Sequence, residues 1–194
     1  MDEIVFVTHN KGKIASAQRY FDNLRFSIYN YELEEPRSDD IQEIVTAKVT
    51  QAYRMVRKPC LAMDTGFFID ALNGFPRAFV NFALDTIGIE GILKLMEGQD
   101  NRACRFKECL AYHDGSQIRY FYGAHPGTLA DRIQGRDRAE KWSDLWYIFK
   151  PLHFDKTLAE MNESEREGRR SIDGSMEALQ VFANWYHAQP ETQR

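Results

Sequence analysis

An α/β fold is what this sequence predicts: one elongated single domain over residues 1–194, with a mixed, twisted sheet flanked by helices and two lobes around a central cleft. Three observations lead there. The chain opens strand–loop–helix–strand, the pattern of a βαβ unit. Short β-branched and aromatic runs then alternate with segments of helical periodicity along the whole length. No repeat, low-complexity tract or linker interrupts the 194 residues, a length that suits one domain.

Residues 3–8 (EIVFVT) form a β-branched and aromatic run and read as a short buried strand. His9-Asn10-Lys11-Gly12 is turn chemistry, residues 13–21 read as a helix, and residues 25–31 as a second strand. An acidic, proline-containing connection, residues 32–40, leads to a helix over 41–57, where Ile41, Ile44, Val45, Ala52, Met55 and Val56 keep helical spacing. Pro59 marks a break, and residues 60–63 are a strand running into Asp64-Thr65-Gly66. Residues 67–73 continue extended and close at Gly74-Phe75-Pro76. Residues 87–96 read as a helix with Gly98 just past its end. Residues 102–112 and 117–122 make a hairpin around Asp114-Gly115, with a third strand over 128–133 and another over 145–149 before Pro151. Residues 157–166 and 175–186 are helical, and 189–194 form a frayed tail.

Composition narrows the function. The 25 Lys and Arg against 29 Asp and Glu give a formal charge of −4, the wrong sign for a chain whose main task is gripping nucleic acid. The longest stretch free of Asp, Glu, Lys and Arg, residues 178–190, is well short of a membrane span. The acidic start Met1-Asp2-Glu3 lacks the layout of a secretory signal, and the expectation is a cytoplasmic protein. Cys60, Cys104 and Cys109 are odd in number and contain no C-x-x-C; reduced, partly buried thiols are expected. The histidines at 9, 113, 125, 153 and 187 show no metal spacing.

Three places carry possible chemistry. Thr8-His9-Asn10-Lys11-Gly12-Lys13 joins a strand to a helix, where unpaired N–H groups, short polar side chains and a lysine suit a phosphate; it is no Walker loop. On the 41–57 helix Lys48 interrupts the apolar stripe and either snorkels to water or points its ammonium into a cleft, while Glu43 lies off the stripe. Asp64, read as standing just past a buried strand, sits where open α/β sheets place ligands, and serves either as a turn cap or as a carboxylate for metal or water.

Taken together these blocks resemble the inosine/xanthosine triphosphate pyrophosphatases, which cleave deaminated purine nucleotides to monophosphate and pyrophosphate with Mg²⁺. The family's T-x-N-x-x-K is matched by Thr8, Asn10 and Lys13, and its E-N-A-x-x-K by Glu43-Ile44-Val45-Thr46-Ala47-Lys48. Its A-D-D-S-G-L segment resembles Ala62-Met63-Asp64-Thr65-Gly66-Phe67, and the likeness runs on to Gly74-Phe75-Pro76. Phe121, Gly123 and Gly127 match F-x-G-x-x-x-G, and T-x-A-E-M stands unchanged as Thr157-Leu158-Ala159-Glu160-Met161.

The resemblance implies roles. Glu43 and Asp64 would be the Mg²⁺ ligands, with Asp64 also activating water. Thr8, Asn10, Lys13 and Lys48 would hold a nucleoside triphosphate, Lys13 and Lys48 stabilising charge during reaction, with Thr65 and Gly66 beside them. A homodimer is implied as well, for which the apolar segment 79–84 is a candidate surface or, equally, core.

Departures also show. Met63 replaces the first of two adjacent acids, which could weaken metal binding or shift it to another acid such as Asp70. The purine-pocket segment is rewritten as Ser143-Asp144-Leu145-Trp146-Tyr147, and no His-Arg pair stands near Arg170-Ser171-Ile172. Arg166 keeps a cation in the related E-K-N segment. Trp142, Trp146, Tyr147 and Arg170 are candidates for a substitute base pocket, although Trp146 and Tyr147, in an apparent strand, belong more often to a core. The expectation is a Mg²⁺-dependent pyrophosphohydrolase of a nonstandard or modified nucleoside triphosphate, for which hypoxanthine and xanthine are not the preferred bases. The alternatives are a silent nucleotide sensor on the same fold and the family's usual activity through a rearranged pocket.

Overall fold

In the computed structural model, described over residues 3–137 and 141–189, the opening βαβ unit is present: β1 (Ile4–Val7), α1 (Lys11–Tyr20) and β2 (Phe26–Tyr29), with β1 and β2 parallel. The 41–57 helix is α2 (Ile41–Val56), capped by the Asp40 carboxylate on the Gln42 N–H at 2.8 Å and ended by Arg57 in a left-handed conformation. Then follow β3 (Cys60–Ile69), β4 (Pro76–Arg77), α3 (Val80–Thr86), α4 (Gly88–Leu95), β5 (Ala103–His113), β6 (Ile118–Leu129), β7 (Phe149–Pro151), α5 (Glu163–Gly168) and α6 (Ala178–Ala188). Among the described residues the sheet has seven strands in the order β2-β1-β3-β5-β6-β7, with β4 beside β3. It is mixed, as expected: β3 pairs β1 in parallel, while β3–β4 and β6–β7 are antiparallel.

Two compact units share these elements, the first made of residues 1–65, 108–123 and 177–194, the second of 66–107 and 124–176. Each has its own core. In the first, Ile4 and Phe6, Leu61 and Met63, and Leu110 and Tyr112 alternate along β1, β3 and β5 so that one face meets Phe21 of the α1 end and Leu179, Phe182 and Tyr186 of α6. The residues between them, Val5, Val7, Cys60, Ala62 and Asp64, turn the other way; Cys60 Sγ reaches Val49 O, and Asp64 meets Lys48, both on α2. In the second, Phe67, Phe106 and Phe149 meet ring to ring, surrounded by Ile92, Leu145, Trp146 and Met161.

Several expectations need correcting. The strand read as 60–63 continues through the Asp-Thr-Gly triplet to Ile69, so Asp64 lies within β3 rather than past its end. Poor strand propensity there is overridden because Asp64 is neutralised by buried ammonium groups. Residues 118–129 make one strand rather than two. Gly127, within this strand, is where β7 comes close, since a Cβ there would stand 2.3 Å from Lys150 O. Residues Asp144–Tyr147 form a 3₁₀ turn, not a strand, with β7 only three residues long. The 79–84 segment falls at the N-cap and first turns of α3 and splits by face: Ala83 is buried while Phe82 is 66% exposed.

The helix read over 157–166 is divided. Glu160 accepts the Thr157 N–H at 2.8 Å and closes a turn, after which Asn162 and Glu165 build a capping box that starts α5. Ala159 of this T-x-A-E-M segment packs under Gly135, whose Cβ would fall 2.6 Å away, so the most distinctive motif serves as scaffold. The final helix starts at Ala178, later than expected, its N–H held by the Glu108 carboxylate at 3.0 Å. The tail expected over 189–194 lies, beyond Gln189, outside the described residues.

Candidate active site

At the carboxyl end of β1, Thr8 donates its N–H to Tyr29 O of the parallel neighbour and accepts the Asn10 N–H on its hydroxyl at 3.1 Å. Asn10 caps α1 by accepting the Lys13 N–H at 3.0 Å. The cap aims Lys13 across the sheet end, where its ammonium donates to Met63 O at 2.8 Å and stands 3.9 Å from Asp64 Oδ1. Lys48 arrives from α2, donating to the same Asp64 oxygen at 3.2 Å and to Glu35 Oε1 at 2.6 Å. Lys48 is buried, its ammonium held by Asp64 and Glu35 rather than snorkelled to water.

Four elements of the first unit thus bring two ammonium groups onto two carboxylates. Their electrostatics differ. Burial drives the Lys13 amine below its ordinary value; Asp64 opposes this and neighbouring Lys48 adds to it. Burial also disfavours charge on Lys48, but Asp64 and Glu35 outweigh it and hold its amine above the ordinary range. Two cations against two anions leave the cluster neutral overall. A polyphosphate entering here would bring its own countercharge, and Glu35 and Asp64, gathered on one ammonium, are donors a divalent cation could use. One or two carboxylates plus substrate phosphates is the usual Mg²⁺ arrangement. Among the described residues no group of three or more His, Cys, Asp or Glu is placed to hold a metal ion.

Glu35 is the residue sequence reading missed. It sits in the acidic 32–40 connection, where nothing in the pattern separates it from its exposed neighbours. Glu43, by contrast, is not brought to the cluster. Five residues of helix rotate it about 140° from Lys48; it is exposed, and its hydrogen bond is from Ser38 at 2.7 Å. Met63 removes nothing from the site, since its side chain is buried in the α6-facing core on the opposite side of β3 from Asp64. Thr65, half-buried, and Gly66, buried, follow Asp64 in β3. Asp70, the alternative acid, is ion-paired with Arg105.

The candidate base residues all belong to the second unit. Trp146 is core, 5% exposed, with the Arg166 guanidinium 5.2 Å above its ring and Trp142 edge-on at 6.0 Å. Tyr147 lies under Lys141, which also bonds Asp137 and Asp144. Trp142 is half exposed. Arg170 stands, half-buried, in the 3₁₀ turn Arg169–Ser171, next to the buried Arg169–Asp173 pair. Arg166 and Trp146 are therefore brought together. All three thiols are free and buried, and burial pushes Cys60 and Cys109 up to about 12 and Cys104 higher still, so no cysteine nucleophile is available.

A family model described as the Ham1 family matches residues 4–185. A dITP/XTP pyrophosphatase of Thermococcus kodakarensis is 35% identical over 184 residues, covering 94% of this chain and 96% of the relative. A dITP/XTP pyrophosphatase of Methanopyrus kandleri is 33% identical over 190 residues, covering 95% and 96%. Among solved structures, a HAM1 protein from Coxiella burnetii superposes with a TM-score of 0.80 at 21% identity over 97% of this chain and 100% of its own. The Staphylococcus aureus Ham1 protein gives 0.78 at 22% identity over the same shares.

Proposed function

This chain belongs to the Ham1 family, and from that premise we propose that it hydrolyses a nonstandard nucleoside triphosphate to the monophosphate and pyrophosphate, clearing such nucleotides from the pool. The observation that carries the reading is the Lys13–Asp64–Lys48–Glu35 cluster beside the head of α1, in which Lys48 and Asp64 are buried. In this proposal the phosphate tail lies at Thr8, Asn10 and the first turn of α1, with Lys13 and Lys48 on the oxygens where charge grows. Asp64 takes the proton of the attacking water. The water oxygen bonds to the α-phosphorus, the bond to the bridging oxygen breaks, and pyrophosphate leaves with the electron pair. Mg²⁺ would be held by Asp64 and Glu35, in place of the Glu43 expected from the resemblance, and would neutralise phosphate charge.

The relatives' names place dITP and XTP first among substrates to try. The segment that departs from the family pattern lies around Trp142, Trp146 and Arg166, so the departure belongs to base preference rather than to the chemistry at phosphorus. A homodimer belongs to the same proposal. The test is a panel of standard, deaminated and modified nucleoside triphosphates with Mg²⁺, assayed for pyrophosphate. Release of pyrophosphate from nonstandard members bears the proposal out; orthophosphate alone, or no turnover of any triphosphate, overturns it.

A further inference from the structure

The ion pairs of the cluster are unevenly shared. Lys48 Nζ donates to Glu35 Oε1 at 2.6 Å and to Asp64 Oδ1 at 3.2 Å, so both carboxylates converge on one ammonium. Lys13 stands 3.9 Å from the same Asp64 oxygen, but its own hydrogen bond goes to Met63 O. The Glu35 side chain is 56% exposed, whereas those of Asp64 and Lys48 are 10% and 11% exposed.

That sharing has a consequence for any divalent cation. A cation drawing on Glu35 and Asp64 needs the oxygens that Lys48 holds. Two positive charges on the same carboxylates repel at close quarters, and more strongly where water is largely shut out. Ammonium and cation therefore compete for the pair. Lys48, covered as it is, cannot exchange its anions for water without a desolvation cost, so it yields them only to another anion. A phosphate tail lying at Thr8, Asn10 and the first turn of α1 would be that anion.

We propose, on the reading of Asp64 and Glu35 as cation ligands given above, that Lys48 reserves these two carboxylates against free divalent cations, so that the chain takes its cation as the complex already formed with a polyphosphate. Binding of the two is then mutually dependent. An anion that draws Lys48 away strengthens cation binding by the same factor by which the cation strengthens binding of that anion.

Mn²⁺ titrated into the chain without nucleotide tests this, with circular dichroism as the check on folding. Lys48→Met is expected to bind Mn²⁺ more tightly than wild type by roughly tenfold or more, and Lys48→Arg, which keeps the charge, close to wild type. Adding Glu35→Gln to Lys48→Met removes most of the gain. Wild type carries a test of its own: sulfate, compared with chloride at equal ionic strength, tightens Mn²⁺ binding several-fold because it offers Lys48 another anion. A Lys48→Met chain that binds Mn²⁺ no more tightly than wild type, a gain that survives the loss of Glu35, or wild-type binding that sulfate leaves unchanged each overturns the proposal. If Lys48→Met does not fold, the sulfate titration decides. Pyrophosphate release is measured in parallel on wild type. Its absence would overturn the proposed activity and leave the Mn²⁺ result standing, whereas normal release without the Mn²⁺ gain overturns the role of Lys48 alone.

Discussion

The first unit holds all of its charged candidates but Glu43 in one cluster, whereas the second holds its aromatic candidates mostly as core. Lys13, Lys48 and Asp64 come from three elements and meet within 4 Å. Trp146, by contrast, is covered by Arg166 and packed among Leu145, Phe149 and Leu158. The difference teaches which signals survive folding. A buried charge must find a partner, so a lysine that breaks an apolar stripe marks a cluster once it is buried there. A tryptophan is satisfied by any well-packed surroundings, and its presence in a sequence does not separate a ligand face from a core.

The comparison can be broken most sharply at Asp64. Asp64→Asn is expected to lower turnover roughly 10³-fold while nucleotide binding, read by calorimetry, survives; a variant that keeps turnover would remove Asp64 from the proton transfer. Next is Lys48→Met, which strands Asp64 and the partly exposed Glu35 without their shared cation. Urea unfolding should show a loss of about 3 kcal/mol, alongside a rise in KM for any triphosphate.

In the second unit the expected effect falls on stability instead. Trp146→Ala should cost about 3–5 kcal/mol as a core truncation, and Trp142→Ala, half exposed, under about 1 kcal/mol. Equal and small stability losses at both, with base preference moved by Trp146 alone, would reverse the assignment of Trp146 to the core.

A smaller effect separates Glu35 from Glu43. Glu35→Gln should weaken binding of Mn²⁺, titrated without nucleotide, roughly tenfold, with Glu43→Gln nearer to wild type; the opposite order would return the metal role to Glu43.

The finest distinction is between the two lysines and pH. The Lys13 amine is lowered on folding, so just below 10.5 the unfolded chain binds more protons and stability rises with pH from the folded value up to 10.5. The Lys48 amine is raised, and its contribution, full below 10.5, is lost as pH climbs through its higher folded value. Lys13→Met should therefore lose the alkaline rise in stability, measured by urea unfolding at successive pH values, while Lys48→Met should keep it.

What the sequence by itself determined was the part governed by period and by neighbours along the chain. The strand-helix-strand opening, the apolar stripe of α2, the polar turn at Thr8–Asn10 and the lysine breaking that stripe all follow from local spacing, and the structure keeps them. Tertiary structure alone decided the rest. It carried β3 through Asp64-Thr65-Gly66, because a distant ammonium neutralises a carboxylate that local propensity would leave in a turn. It chose Glu35 over Glu43 for Lys48, because an irregular connection has no period from which its side-chain directions can be read. It also buried Trp146, because packing depends on what lies opposite in space, and a one-dimensional pattern does not contain that neighbour.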